Sequence, residues 1–153
     1  MVDVERVKQW AAGRWRLGTL HGISHWERVE RNGMDLATPG CDLTVIRLFA
    51  YLHDSCREND DRDEGHGARA AEKIEDLRRT LLKGLRDDQF LLLQQACRQH
   101  ATVLRTGDPT IDTCFDADRL DLGRVGIIPL PEKMATEKGR KRAWAAGRLF
   151  RSR

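Results

Sequence analysis

The chain has 153 residues, of which 33% are charged and 40% hydrophobic, with a formal net charge of +3 and a mean hydropathy of −0.59. This length and balance suit one domain whose helices each turn an apolar stripe inward. They exclude a membrane span, since charges interrupt every apolar run well before the ~20 residues that a bilayer requires, and the small net charge does not indicate nucleic-acid binding.

The first half of the chain carries apolar residues at helical spacing. We predict a first helix over Val4–Leu17, a second over His21–Leu36 and a third over Asp42–Tyr51. The third is apolar on most sides, which predicts a central position, and it delivers His53 and Asp54 at its C-terminal end. The strongly polar loop SCRENDDRDEGHG follows, and such loops often carry function.

The second half continues the helical pattern. One face of a fourth helix is predicted to carry His66, Ala70, Ile74, Leu77 and Leu81, and one face of a fifth Leu93, Cys97, His100 and Leu104. The segment CFDADRLDLGR predicts a short helix, GIIPLPEK an extended connection, and the residues from about Thr136 a basic terminal helix. No stretch alternates as a strand does, so we expect an all-α fold of six to seven helices.

The predicted terminal helix concentrates positive charge. Its cations are Lys138, Arg140, Lys141, Arg142, Arg148, Arg151 and Arg153. They form either a solvated face or a patch that attracts a polyanion. Its apolar face, Trp144, Leu149 and Phe150, either covers this domain's own core or docks a partner, so a homodimer remains one alternative. The acidic N-terminal stretch is unlike a signal peptide, and we expect a cytoplasmic protein.

His53 and Asp54 are the first candidates for chemistry. A charged Asp54 at the end of a buried helix is costly to desolvate unless a cation or strong donors satisfy it. His21 and His25 lie four residues apart, a spacing that places both imidazoles on one face of a helix. That pair suits either a metal site or a solvated surface.

A third candidate segment, DADRLDLGR, places Asp116, Asp118 and Asp121 within six residues. At least one of these carboxylates should face inward, and with two imidazoles and Asp54 it makes a mixed N/O site suited to Mn, Fe, Mg, Ni or Zn. The chain has no HExxH, Walker or GxSxG motif, so the zincin, P-loop and serine-hydrolase classes are excluded.

HxxxHxxRV, LHD after an apolar helix, and DADRLD, in that order, resemble the HD superfamily of metal-dependent phosphohydrolases. The resemblance covers roughly residues 18 to 128 and implies an HD-domain helical bundle. We therefore expect a single HD domain over residues 1–153. It would comprise an N-terminal helix (1–17), an HD core with the metal site (18–128), and an extended segment with the basic C-terminal helix (129–153).

The same resemblance implies four metal ligands: His25, His53, Asp54 and Asp116. Asp118 remains an alternative to Asp116. His21 is similar to a histidine that donates a proton to the leaving oxygen in cyclic-nucleotide phosphodiesterases.

His66 and His100 resemble histidines that bind a second metal in binuclear members. Alternatively, they are satisfied core residues or hydrogen-bond donors to phosphate. Arg57 lies close to the HD pair and is expected to act in catalysis with His21 and Asp54. Arg28 and Arg119 also lie near proposed ligands, and we expect them to contact substrate phosphate.

These expectations combine into a phosphohydrolase in which a metal-activated water attacks a phosphate ester, the substrate being a small phosphorylated molecule such as a nucleotide. One or two divalent cations are required. Two alternatives from other classes remain: an HD-fold di-iron oxygenase, if His66 and His100 complete a set of six ligands, and a non-catalytic module that binds nucleotides.

Overall fold

The computed structural model describes residues 1–151, with side chains up to residue 149. Seven α-helices and two short 3₁₀ helices fall within this range, and no strand does, which confirms the predicted all-α fold. Arg153 lies outside the described residues. The α-helices are α1 (Val4–Arg14), α2 (Ile23–Leu36), α3 (Leu43–Leu52), α4 (His66–Leu77), α5 (Asp87–Gln99), α6 (Pro109–Arg119) and α7 (Glu137–Arg151), and the 3₁₀ helices span Leu122–Val125 and Pro131–Lys133.

Three of the helices begin at an aspartate whose side chain caps the first turn. Asp3, Asp42 and Asp108 accept hydrogen bonds from backbone amides of α1, α3 and α6. Aspartate is among the best residues at this position because it satisfies amides that have no partner within the helix. Pro109 follows Asp108 and suits the first turn, where a missing N–H costs nothing, so α6 begins earlier than the predicted CFDADRLDLGR.

Helix α3 occupies the centre of the fold, as its apolar sequence predicts. Most of its residues are buried, and α1, α2, α5 and α6 all pack against it. The helix ends at His53, whose backbone amide donates to Phe49 O. His53 and Asp54 are therefore presented at the end of the most enclosed helix.

Several helix ends differ from the predicted ones. Helix α1 stops at Arg14 because Trp15 turns to extended backbone and its indole N–H donates to Gly18 O, which shapes the following turn. His21 consequently lies just before α2. The fifth helix ends at Gln99, and Leu104, predicted on its apolar face, is 48% exposed.

The terminal helix α7 buries small residues and exposes large ones. Ala143 and Gly139 are buried, whereas Trp144 and Leu149 are 55% and 70% exposed. The side chain of Phe150 lies outside the described residues. None of the described helices is long and apolar enough to cross a membrane.

Gly67 allows α4 to approach α5 closely. A Cβ atom at this position would lie 2.7 Å from Cys97 O and 3.0 Å from Arg98 O, closer than side-chain carbon normally comes to backbone oxygen. Both oxygens belong to the backbone of α5 and cannot rotate away. The two helices can keep this spacing only with glycine here.

We predict that Gly67→Ala destabilises the protein by about 1–3 kcal/mol, because the added methyl group must push α4 and α5 apart. Gly13→Ala is the matched control, since a Cβ there meets nothing within 4 Å. The control should be neutral or stabilising by up to ~1 kcal/mol, as alanine favours helix. Urea unfolding measures both, and equal stability changes would contradict the close packing.

Candidate metal centre

Four buried histidines from four parts of the fold meet at the end of α3. His25 lies in α2, His53 ends α3, His66 begins α4 and His100 follows α5, and none is more than 6% exposed. They form two pairs with Nε2 atoms facing each other, at 3.2 Å for His25 and His53 and at 2.9 Å for His66 and His100.

In all four histidines the Nδ1 atom has a hydrogen-bond acceptor. The acceptors are Asp121 Oδ2 for His25, Phe49 O and Ala50 O for His53, Asp63 O for His66 and Cys97 O for His100. Carbonyl and carboxylate oxygens only accept, so Nδ1 carries the hydrogen and each Nε2 of a neutral ring presents a lone pair. Two lone pairs at this distance repel unless a proton or a cation lies between them.

Asp54 lies between the two histidine pairs and is 2% exposed. Its Oδ2 atom is 3.3 Å from Nε2 of both His25 and His53. Its Oδ1 atom is 3.2 Å from His66 Nε2 and 3.6 Å from His100 Nε2. Each carboxylate oxygen thus faces one histidine pair, and two groups result that could each hold a metal ion, with Asp54 common to both.

The donor set fits a divalent cation. Ligand atoms bound at ~2.1 Å on adjacent positions of an octahedral ion lie about 3 Å apart, close to the separations found here. Imidazole nitrogen combined with carboxylate oxygen suits Fe, Mn, Ni or Zn. The cluster of His25, His53 and Asp54 could therefore bind a metal, as could that of Asp54, His66 and His100.

The structure places the Asp116 carboxylate away from the four histidines, so its geometry favours the alternative ligand, Asp118. Its carboxylate is fully buried and accepts hydrogen bonds from Ala135 N, Thr136 N and Thr136 Oγ1, at 2.7, 2.8 and 2.7 Å. Asp118 Oδ1 instead lies 3.2 Å from His25 Nε2 and 3.5 Å from His53 Nε2. Residues two apart on a helix point to nearly opposite sides, so only one of the two can face the histidines.

Asp121 and Arg28 support the ring of His25. Asp121 Oδ2 lies 2.7 Å from His25 Nδ1, and its Oδ1 accepts from Arg28 Nε at 2.7 Å. A carboxylate behind a ligating imidazole fixes its tautomer and orientation. The sequence indicated Asp121 as a candidate, but not that it orients His25. Through its ion pair with Arg28, Asp121 also brings Arg28 to the edge of the cluster.

His21 also lies at the cluster, beside an arginine that the sequence reading missed. Arg124 Nη2 donates to His21 Nδ1 at 3.3 Å, which leaves Nε2 to donate to Asp60 O at 3.1 Å. Burial and the neighbouring Arg57 charge lower the pKa of His21. A neutral imidazole offers a hydrogen bond rather than a proton, so these contacts do not favour the predicted role of His21 as a proton donor.

Arg57 and Arg119, the two other arginines predicted near the ligands, lie in different places. Arg57 Nε lies 3.3 Å from Asp54 Oδ1, so the structure brings this predicted residue to the cluster. Arg119 instead donates to Val103 O and Leu104 O, at 2.7 and 2.9 Å. Both terminal nitrogens of Arg119 are used to hold the α5–α6 connection, and its predicted contact with substrate is not supported.

An ion pair between Asp63 and Arg69 joins the acidic loop to helix α4. Both carboxylate oxygens of Asp63 lie 2.6 Å from Arg69 Nη2, and Asp63 Oδ2 also accepts from Glu58 N. The carbonyl of Asp63 is the acceptor for His66 Nδ1. This pair therefore orients His66, a role that could not be recognised among the many charges of RENDDRDEG.

The carboxylates of the cluster raise the pKa values of the first histidine pair. Burial lowers the pKa of His25, but Asp118, Asp121 and Asp54 outweigh it and raise the pKa to about 9. Burial also lowers the pKa of His53, but Asp54 and Asp118 outweigh this effect and raise the pKa to about 10. The pKa values of Asp54 and Asp118 lie well below the usual range, despite burial, because the histidines stabilise their charged forms.

One solved structure is similar to this chain over nearly its whole length. It is that of a predicted HD superfamily hydrolase from an uncultured Thermotogales bacterium, with 26% sequence identity and a TM-score of 0.71. The match covers 97% of this chain and 86% of that one. No protein-family model matches the chain, and no curated protein does.

The chain thus has the all-helical fold of a predicted HD superfamily hydrolase, together with a His/Asp cluster that could bind a divalent metal. The resemblance to the HD superfamily, predicted from HxxxHxxRV, LHD and DADRLD, is confirmed.

We predict that Asp118→Asn and Asp116→Asn separate metal binding from stability. Asp118→Asn should weaken metal binding at least about tenfold with little change in stability, since a charged candidate ligand is lost. Asp116→Asn should keep the metal and lose about 2 kcal/mol of stability, because backbone donors lose a charged acceptor. Metal analysis and urea unfolding measure the two effects, and metal loss in Asp116→Asn alone would reverse the assignment.

We also predict that metal binding releases at least one proton near pH 7.5. His25 and His53, with pKa values raised to about 9 and 10, are protonated at that pH before a cation binds, and the cation must displace those protons. The apparent affinity should therefore rise with pH up to about these values. Calorimetric titration of metal in two buffers of different ionisation enthalpy counts the protons. An affinity that does not change between pH 6.5 and 9 would contradict the prediction.

Proposed function

We propose that this protein is a metal-dependent phosphohydrolase that cleaves a phosphate ester of a small molecule. The observation that carries the proposal is the arrangement around Asp54, where two histidine pairs turn their Nε2 atoms inward onto its two oxygens. Such an arrangement is unfavourable for neutral rings and becomes favourable around cations. The similarity to a predicted HD superfamily hydrolase supports the same reaction class.

His25, His53, Asp54 and Asp118 would hold one divalent metal, and Asp54, His66 and His100 would contribute to a second. When bound, the metal supplies Lewis acidity toward the phosphoryl group and lowers the pKa of water for the attack. Asp121 keeps His25 in the tautomer that presents Nε2, and the carbonyl of Asp63 does the same for His66. The second pair lends itself to metal binding because burial lowers the pKa of His100 and favours its neutral form.

Two guanidinium groups at the edge of the cluster suit the phosphate oxygens. Arg57 lies against Asp54, and Arg124 lies 4.0 Å from Asp118 Oδ1 and bonds to His21. Guanidinium groups bind phosphate through several N–H donors at once. His21 would offer its Nε2–H to the leaving oxygen, in place of the Asp60 carbonyl that it contacts here. Substrate entry would thus require the hydrogen bond between His21 and the Asp60 carbonyl to break.

A nucleotide is the substrate class that the HD resemblance favours. The gathering of four histidines with Asp54 and Asp118 also suits a second candidate, the di-iron oxygenase, because it supplies six protein ligands for two metals. Hydrolysis of a phosphate ester makes direct use of the arginines beside the cluster, which would neutralise the phosphate, and for this reason we favour it. The compartment that we propose remains the cytoplasm.

We predict that His53→Ala and Asp54→Ala each lose the metal and reduce phosphatase activity about 1,000-fold or more, since activation of water contributes several kcal/mol. Metal analysis and a manganese-supplemented screen of nucleotides and phosphomonoesters are the measurements. Asp35→Ala is the matched control, since Asp35 is an exposed aspartate that pairs with Arg142, and this variant should retain both metal and activity.

Near-stoichiometric metal in either ligand variant would contradict the assignment of the site. Activity that survives in Asp54→Ala would reveal a contaminating phosphatase. Two irons per chain together with oxygen consumption would favour the oxygenase. A metal-loaded protein that binds nucleotides and hydrolyses none would favour the non-catalytic module.

A further inference from the structure

A cavity of about 470 Å³ is lined in part by the residues that directly follow Asp54 in the chain. Ser55, Cys56 and Arg57, the three residues that follow Asp54, form part of its wall. The end of α1 and the turn after it form another part, with Trp15 between Arg14 and Arg16. The face of α4 completes it. The cavity is therefore bounded by the chain that carries the cluster and by the segment that precedes His21.

The wall near α1 carries positive charge that no carboxylate neutralises. Five cationic and three acidic side chains line the cavity. Lys73 pairs with Asp76, and Arg69 pairs with Glu58 and Asp63. Among the described residues, neither Arg14 nor Arg16 has a carboxylate within ion-pair distance. The acids Glu72 and Asp76 belong to the α4 side, so the uncompensated charge is confined to the wall of Arg14 and Arg16.

Those two arginines are held in place without being neutralised. The guanidinium of Arg14 lies over the ring of Trp10, 4.6 Å from its centroid. Arg16 Nη1 donates to Gly13 O and to Trp15 O, at 2.8 and 3.0 Å. Neither contact removes the charge, and each guanidinium keeps N–H groups for an anion.

Arg57 connects this cavity to the metal cluster. Its Nε lies 3.3 Å from Asp54 Oδ1, and its side chain is only 11% exposed. It also lines a second cavity, of about 380 Å³, to which His66 belongs. A phosphate at the cluster and an anion in the larger cavity would thus lie on either side of one guanidinium.

We propose that the cavity beside Arg14 and Arg16 binds a second phosphoryl group of the substrate, remote from the one that is cleaved. The substrate class would then be a compound with at least two phosphoryl groups, such as a nucleoside polyphosphate. This inference rests on the proposed function for the cleaved group. It adds a specificity determinant, because a phosphomonoester leaves the arginine wall without a ligand.

The test is calorimetric binding of tripolyphosphate and of orthophosphate to the purified protein, with metal content measured before and after titration. The variant is Arg14→Ala/Arg16→Ala, both residues being exposed and free of core packing. Lys133→Ala/Arg148→Ala removes the same charge at exposed positions outside the cavity and is the matched control. We expect the dissociation constant for tripolyphosphate to rise about tenfold in the variant and to change less than twofold in the control.

Equal losses of affinity in the variant and the control would overturn the proposal, as would tripolyphosphate binding no tighter than orthophosphate in the parent protein. Turnover by the parent protein of any nucleoside polyphosphate, nucleotide or phosphomonoester in the manganese-supplemented screen tests the proposed function separately. Arginine-dependent binding without turnover of any compound in that screen would leave the cavity in place and refute the hydrolase. Turnover combined with a tripolyphosphate affinity that does not depend on the arginines would support the hydrolase and refute the role of the cavity.

Discussion

The structure depends on the burial of one carboxylate, that of Asp54, at the end of the most enclosed helix. Removing this charge from water costs several kcal/mol unless positive groups or donors surround it. The rings of His25 and His53, whose pKa values are raised, and the Arg57 guanidinium meet this requirement together. Each surrounding ring is oriented from behind by a carbonyl or by Asp121, so the helices must keep their spacing for the site to exist. The packing of α2, α5 and α6 against α3, and of α4 against α5, is thus a condition of the chemistry.

The helical fold and the centre of the site could be predicted from the sequence because both follow from local patterns. The spacing of apolar residues predicts the helices. A charged Asp that follows a buried apolar run must be stabilised by a cation or by hydrogen-bond donors, whatever the fold. His25, His53 and Asp54 therefore emerge from periodicity and motif together. Asp121 belongs to the same segment as Asp116 and Asp118. The sequence therefore predicted that Asp121 lies near the site, but not that it orients His25.

The remaining residues depend on side-chain direction and on long-range contact. Asp116 and Asp118 are equivalent in a motif, and only the position of α7 shows which one faces the histidines. Arg119 and Arg124 each lie within three residues of an aspartate in the sequence, yet one donates to carbonyls of the α5–α6 connection and the other reaches His21. Asp63 is one acid among several in its loop, and it is distinguished solely by Arg69 across the turn. None of these choices has a local signature.

Two carboxylates of α6, those of Asp116 and Asp118, connect this helix to two different parts of the fold. Asp118 faces the cluster, while Asp116 grips the backbone where α7 begins, with Gly139 packed directly against it. Within the described part of the chain, the C-terminal helix places no side chain at the cluster, yet its first turn holds Asp116 and so fixes the rotation of the helix that carries Asp118. Mechanical strain applied at the C-terminal end, as by a fused domain or a surface attachment, would therefore reach Asp118 through Asp116, two residues away on the same helix.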